Sequence, residues 1–450
     1  MISLGCAKNL IDAEIMLGDA GVHGFEITDD AQAADVLIIN TCGFIDSAKQ
    51  ESIDAILDAN HQRVQQKRPS QRIVVSGCLS QRFSEDLVKE LRGEVDAFIG
   101  LDQVAQTGNI LHNLLESTSP STEPLNLVNQ GSLYIPDWDT PRFRLTPAHT
   151  CYVKIAEGCN HPCSFCVIPQ MRGKHRSRTI ASVVAEVRQL VANGVREINL
   201  ISQDTTYFGM DTWTEKAGPR QPVDSHRGST LTRLLDALGE IEGDFWIRLL
   251  YTHPAHWSDE VIHAIADNPK VVPYVDMPLQ HIHPEMLKSM RRETSREHIE
   301  NLIDRLRAGI PNLAIRTTFI VGFPGETEEH FSALLEFIEA RRFERLGVFL
   351  YSEEEGTRAG KMEHQIAPRI KSRRHREAMK LQQRIAKDLA KNHIGKTLRV
   401  LVEQEKIART EQDAPEVDCR VILKESLPIG EFHTVEIIGT QVYDLIARPV

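Results

Sequence analysis

Three cysteines, Cys159, Cys163 and Cys166, fall within the run Cys159-Asn160-His161-Pro162-Cys163-Ser164-Phe165-Cys166. They follow directly on an apolar run at 151–156 that reads as a strand, and Gly158 and Pro162 place them in a loop. Thiols at offsets 0, 4 and 7 can close around one centre, provided a rigid strand end delivers the loop. The loop thus stands at the carboxyl end of a strand, where parallel α/β scaffolds gather their ligand-binding loops. Eight cysteines in 450 residues are too sparse for a disulfide framework, and three of them clustered point to metal or redox chemistry.

The rest of the chain supplies such a scaffold. Six candidate strands, at 151–156, 197–202, 245–251, 272–277, 313–321 and 345–351, alternate with helical patterns and predict a partial (β/α)6 barrel over 147–368. Ahead of it, residues 1–116 alternate apolar runs and amphipathic stretches, which predicts an α/β domain with a doubly wound parallel sheet. A Ser-, Thr- and Pro-rich stretch at 117–146, opening Ser117-Thr118-Ser119-Pro120, reads as a linker. Residues 369–394 form a basic connecting helix, and 395–450 carry short strand patterns that predict a small β-barrel. No apolar run approaches the roughly 20 residues of a membrane span, so a cytoplasmic protein without membrane contact is expected. The net charge of −11 disfavours a protein that grips nucleic acid over its whole surface.

Structural zinc takes four protein ligands, and no fourth Cys or His stands at a finger-like spacing beside Cys159, Cys163 and Cys166. Thiolates are the usual ligands of iron–sulfur clusters, and three of them on a four-iron cluster leave one iron open. A second set, Cys6, Cys42 and Cys78, recurs at intervals of 36, each at the end of an apolar run: Ser3-Leu4-Gly5-Cys6, Ile39-Asn40-Thr41-Cys42 and Ser76-Gly77-Cys78. If those runs are neighbouring parallel strands, the three thiols meet at one sheet edge. The alternative is three buried structural cysteines. Cys151, at the start of its strand, and Cys419, in the terminal barrel, read as packing residues.

The C-x3-C-x2-C run resembles the radical S-adenosylmethionine (SAM) superfamily. Together with the second triad and the terminal barrel, it makes nearly the whole chain resemble the radical SAM methylthiotransferases, whose last domain is TRAM-like. Ile201-Ser202-Gln203-Asp204-Thr205-Thr206, Pro278-Leu279-Gln280-His281 and Ile320-Val321-Gly322-Phe323-Pro324-Gly325-Glu326-Thr327 match as well. Ser3-Leu4-Gly5-Cys6-Ala7-Lys8-Asn9-Leu10 looks like the branch that modifies a ribosomal protein; branches acting on tRNA carry a different stretch here. The resemblance implies two 4Fe-4S clusters, one on Cys6, Cys42 and Cys78 and one on Cys159, Cys163 and Cys166. It also implies SAM bound near Phe165, Gln203, Asp204 and Gly322. The implied product is a methylthio group on the β-carbon of an aspartate in small-subunit ribosomal protein twelve. An electron donor (a reductase, or a flavodoxin- or ferredoxin-type protein) and a sulfur donor are implied as partners. Both clusters are expected to open onto one cavity between the first two domains.

Two other functions compete: methylthiolation of tRNA adenosine, and a non-enzymatic iron–sulfur carrier. From Thr397 onward six Lys or Arg face ten Asp or Glu, an acidic balance that suits a basic ribosomal protein better than phosphates. His161 is expected to fix its loop. Arg248, Asp276, Gln280, His281 and Arg316, at or near strand ends, are candidates for ligand contact or for structural pairing alike.

Overall fold

The computed structural model describes residues 1–116 and 123–450, so Ser117-Thr118-Ser119-Pro120 lies outside the described residues. Among the described residues three large sheets, each from its own sequence segment, and one two-stranded ribbon organise the chain.

The first is a parallel sheet in the order β1-β2-β3-β4-β5, from β1 (Ile2–Ser3), β2 (Val36–Thr41), β3 (Arg72–Gly77), β4 (Ala97–Ile99) and β5 (Leu125–Leu127). Side chains alternate across it. Leu37, Ile39, Ile73, Val75 and Phe98 face one core, with α2 (Asp46–Gln65) and α3 (Cys78–Glu90). Ile38, Val74, Ala97 and Ile99 face the other, with α1 (Ala7–Val22) and α4 (Thr107–Glu116). Helices therefore cover both faces, as the uninterrupted apolar runs require. The fifth strand arises inside the stretch that reads as a linker, and pairs Leu125–Leu127 with Ala97–Ile99.

The second sheet is the open barrel. Its six parallel strands run in the order β13-β12-β11-β10-β9-β6: β6 (Thr150–Lys154), β9 (Glu197–Ile201), β10 (Trp246–Leu249), β11 (Val271–Asp276), β12 (Ala314–Val321) and β13 (Arg345–Leu350). A two-stranded ribbon, β7 (Ala156–Glu157) and β8 (Arg176–Ser177), brackets the cysteine loop. Helices α6 (Ile180–Ala192), α7 (Leu231–Gly239), α10 (Arg296–Gly309) and α11 (Glu328–Arg341) pack outside. Thr179, Thr230, Ser295 and Thr327 cap these four through their hydroxyls, the residue types favoured at that position.

The third sheet closes as the five-stranded barrel β14-β15-β16-β18-β17: β14 (Thr397–Gln404), β15 (Ile407–Thr410), β16 (Val421–Leu423), β17 (Phe432–Gln441) and β18 (Asp444–Pro449). It seats against the open barrel where the parallel strands begin. There Glu197, fully buried, is shared by Arg248 and Arg409, and Tyr274 donates to Asp418 at 2.6 Å. A buried carboxylate costs several kcal/mol to dehydrate unless it is paired, which accounts for two guanidiniums on one acid. One apolar cluster joins all three parts, through Ile11 and Ile15 of α1, Tyr152, Trp246 and Tyr274 of the open barrel, and Leu401 and Ala414 of the small one. Helix α12 (Pro368–Lys391) buries Arg374 against Glu326, while Arg373 and Arg384 stay exposed and pair with Glu328 and Glu339 at the surface. Among the described residues no helix is long and apolar enough to cross a membrane.

Candidate metal centres

The first triad is a product of register. Thr41 pairs with Gly77 across β2 and β3, so Cys42 and Cys78, the next residues, emerge side by side. Ser3 pairs with Asn40, which brings Cys6 to the same edge. Gly77 adopts φ 97°, and a Cβ there would lie 2.3 Å from the Thr41 carbonyl oxygen, so only glycine lets the strand turn so abruptly into its cysteine. Cys6 precedes α1 and Cys78 opens α3, so each sulfur sits at the positive end of a helix dipole. Burial pushes the Cys78 thiol up to about 12 and also raises Cys42, and the charge of neighbouring cysteines adds to each. Burial would raise Cys6 too, but the Lys8 and Arg172 cations and the N–H groups of Asn9 and Lys8 hold it below its ordinary value. Cys6 is exposed although it lies within the field of Lys8, Arg172 and Tyr251, so it borders open space at the domain interface.

The second triad is a product of anchoring. The Ser164 N–H donates to the Met290 carbonyl at 3.0 Å, its hydroxyl donates to the Ser289 carbonyl at 2.8 Å, and its own carbonyl accepts from Ala359 N–H at 2.8 Å. His161 is clamped between Asp204, at 2.7 Å, and Glu293. Arg292 donates to Cys163 Sγ at 3.3 Å. Burial raises Cys159 well above its ordinary value and Cys166 to about 12, and the charges of the other cysteines of the triad push the same way. Such thiols become thiolates when a cation binds them. Each triad thus gathers its three cysteines at one sheet edge or in one loop, and a guanidinium from outside reaches one sulfur in each. That donor set suits a cubane cluster with one iron left for another ligand better than a closed zinc site.

A buried charge network runs from Cys78 of the first triad to the segment that follows Cys166. Arg172, in α5 (Ile168–Arg172) just after Cys166, donates to Cys78 Sγ at 3.3 Å, Asn9 Oδ1 at 2.7 Å, Asp12 at 2.9 Å and Glu157 at 2.9 Å. Lys154 bridges the same two acids at 2.6 and 2.7 Å. Val167 and Met171 pack on Cys78 itself. Sequence reasoning does not find these residues. Their one signal is charge inside apolar surroundings, as with Lys154 in Cys151-Tyr152-Val153-Lys154-Ile155.

The cofactor candidates fare unevenly. Phe165 is half-buried and packs with Met286, Met290, Phe323 and Tyr351. Gln203 donates to Glu157, while its own Oε1 is buried with no partner. Asp204 is taken up by His161 and by the N–H of Thr206 at 3.0 Å. Gly322, φ 74°, gives its N–H to Glu326, and a Cβ there would strike Lys371, so the close approach it allows is to α12. Arg248, Asp276, His281 and Arg316 make structural pairs, with Glu197, Arg316, Glu326 and Asp276 respectively. Gln280 takes a left-handed backbone and leaves Oε1 buried without a partner. Cys151 is buried in the outer core, but Cys419 is only half-buried and stands outside the small barrel's apolar cluster. A cavity of about 380 Å³ opens beside the second triad, lined by Asn160, His161, His175, Asp204 and Tyr207 among others. All its lining residues belong to the open barrel, so this cavity is not the chamber expected between the first two domains.

Three family models match this chain: uncharacterized protein family UPF0004 over residues 1–100, the radical SAM superfamily over 153–338, and the TRAM domain over 394–450. In fold the chain is similar to the radical S-adenosylmethionine methyltransferase TsrM from Kitasatospora setae, with a TM-score of 0.53 at 15% identity over 76% of this chain and 70% of that one. Curated relatives named ribosomal protein uS12 methylthiotransferase RimO are far closer in sequence. That of Opitutus terrae is 58% identical over 100% of this chain and 96% of its own length, and that of Akkermansia muciniphila 51% over 100% and 99%. With full-length identity of that order behind the two triads and the three-part fold, the chain belongs to the RimO family of ribosomal protein uS12 methylthiotransferases.

Proposed function

We propose that this protein is a radical SAM methylthiotransferase that adds a methylthio group to the β-carbon of an aspartate of uS12, small-subunit ribosomal protein twelve. What supports this reading is the packing of Val167 and Met171, from the segment that follows Cys166, on Cys78, whose Sγ also accepts from Arg172. SAM and two 4Fe-4S clusters supply the electron transfer, the hydrogen abstraction and the methylated sulfur. Cys159, Cys163 and Cys166 hold the cluster that binds SAM, with Phe165 and Gln203 beside it. Cys6, Cys42 and Cys78 hold the other cluster. Arg292 and Arg172 place a guanidinium against one sulfur of each set. The α1 helix packs Ile11 and Ile15 in one apolar cluster with Tyr152, Trp246 and Tyr274 of the open barrel.

A protein substrate is favoured over tRNA by the small barrel, where acids outnumber cations and three of the six cations are engaged. Arg409 meets Glu197 and Glu403, Arg399 meets Asp244, and Arg448 meets Glu436. Lys406, Arg420 and Lys424 remain to neutralise phosphates, among ten acids. A reductase, or a flavodoxin- or ferredoxin-type protein, supplies the electron and a separate donor supplies sulfur, and the work is done in the cytoplasm beside the ribosome. The test is anaerobic incubation of the reconstituted protein with SAM, reductant, sulfide and either uS12 or tRNA, read by mass spectrometry. A methylthio gain on uS12 is expected. A gain on tRNA alone, or clusters without any SAM cleavage, overturns the proposal.

A further inference from the structure

Two lysines are buried, and they are treated differently. Lys154 bridges Asp12 and Glu157, whereas the Lys8 ammonium has no hydrogen bond or ion pair among the described residues. Lys8 is 8% exposed, and its Nζ lies 2.9 Å from the centre of the Tyr251 ring. That ring is fixed beneath it. Tyr251 takes the left-handed φ of 61°, and its N–H donates to Asp276 Oδ2 at 2.9 Å.

Of the groups of opposite charge whose fields reach Lys8, Cys6 comes first, and the two carboxylates, Asp276 and Glu157, are already committed. Asp276 accepts from Tyr251 and from Arg316 at 3.1 Å, while Glu157 is held by Arg172, Lys154 and Gln203. A buried ammonium without an acid is costly, and an aromatic face compensates it only in part. Its place is also specific. Lys8 stands in the first turn of α1, two residues after Cys6, which borders open space. A carboxylate brought to Lys8 therefore lies beside that sulfur.

We propose that Lys8 is the specificity-determining residue that receives the side-chain carboxylate of the substrate aspartate and holds it next to Cys6. This presupposes the methylthiotransferase activity proposed above. The carbon to be modified is one bond from that carboxylate, so a salt bridge at Lys8 would fix the reacting carbon and reject neutral side chains together. A carboxylate could also come from SAM, and the test separates the two sources.

The test uses full-length holoenzyme and two substrates, uS12 and uS12 with Asn in place of the modified Asp. Wild-type enzyme should prefer Asp in kcat/KM by about 100-fold, since a site built for a charged partner penalises its absence. Lys8→Met should lower kcat/KM for the Asp substrate by about 30-fold, chiefly through KM, and bring the preference to within about threefold. Lys8→Arg should keep part of that preference, and iron and sulfide per chain should stay unchanged in both variants. Should Lys8→Met lose iron, Tyr251→Leu takes its place: it removes the ring under the ammonium and must raise KM for Asp more than for Asn. An unchanged Asp preference, an equal loss on both substrates, or a rise confined to the KM for SAM overturns the assignment. Wild-type enzyme inactive on uS12 overturns the activity itself and the assignment with it.

Discussion

The first triad takes one cysteine from each of three neighbouring strand ends, at residues 6, 42 and 78, whereas the second takes all three from one eight-residue loop. In the first, the sheet's hydrogen-bond register is the ruler: if β2 slipped by one residue against β3, Cys42 and Cys78 would no longer emerge together. In the second, the loop carries the spacing, and contacts from remote residues, Ser289, Met290, Glu293 and Ala359, set its aim. A site spread over a domain is as rigid as its sheet. A site in a loop is only as well directed as its anchors.

This difference is open to attack, most forcefully at Cys163. Cys163→Ala should abolish SAM cleavage and methylthio transfer together and lower iron from about eight to about four per chain, by iron analysis of anaerobically reconstituted protein. Cys42→Ala should give the same iron count but a different loss, with reductive SAM cleavage surviving and transfer to uS12 gone. Equal losses from the two variants would erase the division of labour. Arg172→Met should affect the region between them, because it leaves Asp12 and Glu157 with one cation in place of two. A cost of about 3–5 kcal/mol in chemical unfolding is expected, the usual penalty for breaking a buried ionic network. The smallest effect concerns apo protein. At pH 8 iodoacetamide should label Cys6, exposed and held below its ordinary value, several-fold faster than Cys78 or Cys166, by peptide mass spectrometry.

What is legible in the sequence follows from the same contrast. Both triads can be seen because each is written in a local pattern, a cysteine at the end of an apolar run or three in one loop. The six barrel strands and their order of appearance are legible for the same reason. Ala97–Ile99 and Leu125–Leu127 are not, because three residues give too little alternation, and the second lies among Ser, Thr, Pro and Asn. The network of Asp12, Lys154, Glu157 and Arg172 is invisible to any window, since it joins α1, β6, β7 and α5 across as many as 160 residues. Asp204 shows the converse: a polar residue at a strand end draws attention as a ligand, while its oxygens are engaged by His161 and a turn. Strand-end position indicates where a side chain stands and leaves open which neighbour claims it.

Glu197 and Arg409 are separated by 212 residues, and that interval has a temporal meaning. At a synthesis rate of about 5–20 residues per second, the acid leaves the ribosome roughly ten to forty seconds before its second guanidinium exists. During that time the floor of the open barrel has no cover and Glu197 has Arg248 alone, so the base closes only once residues 397–449 have been made.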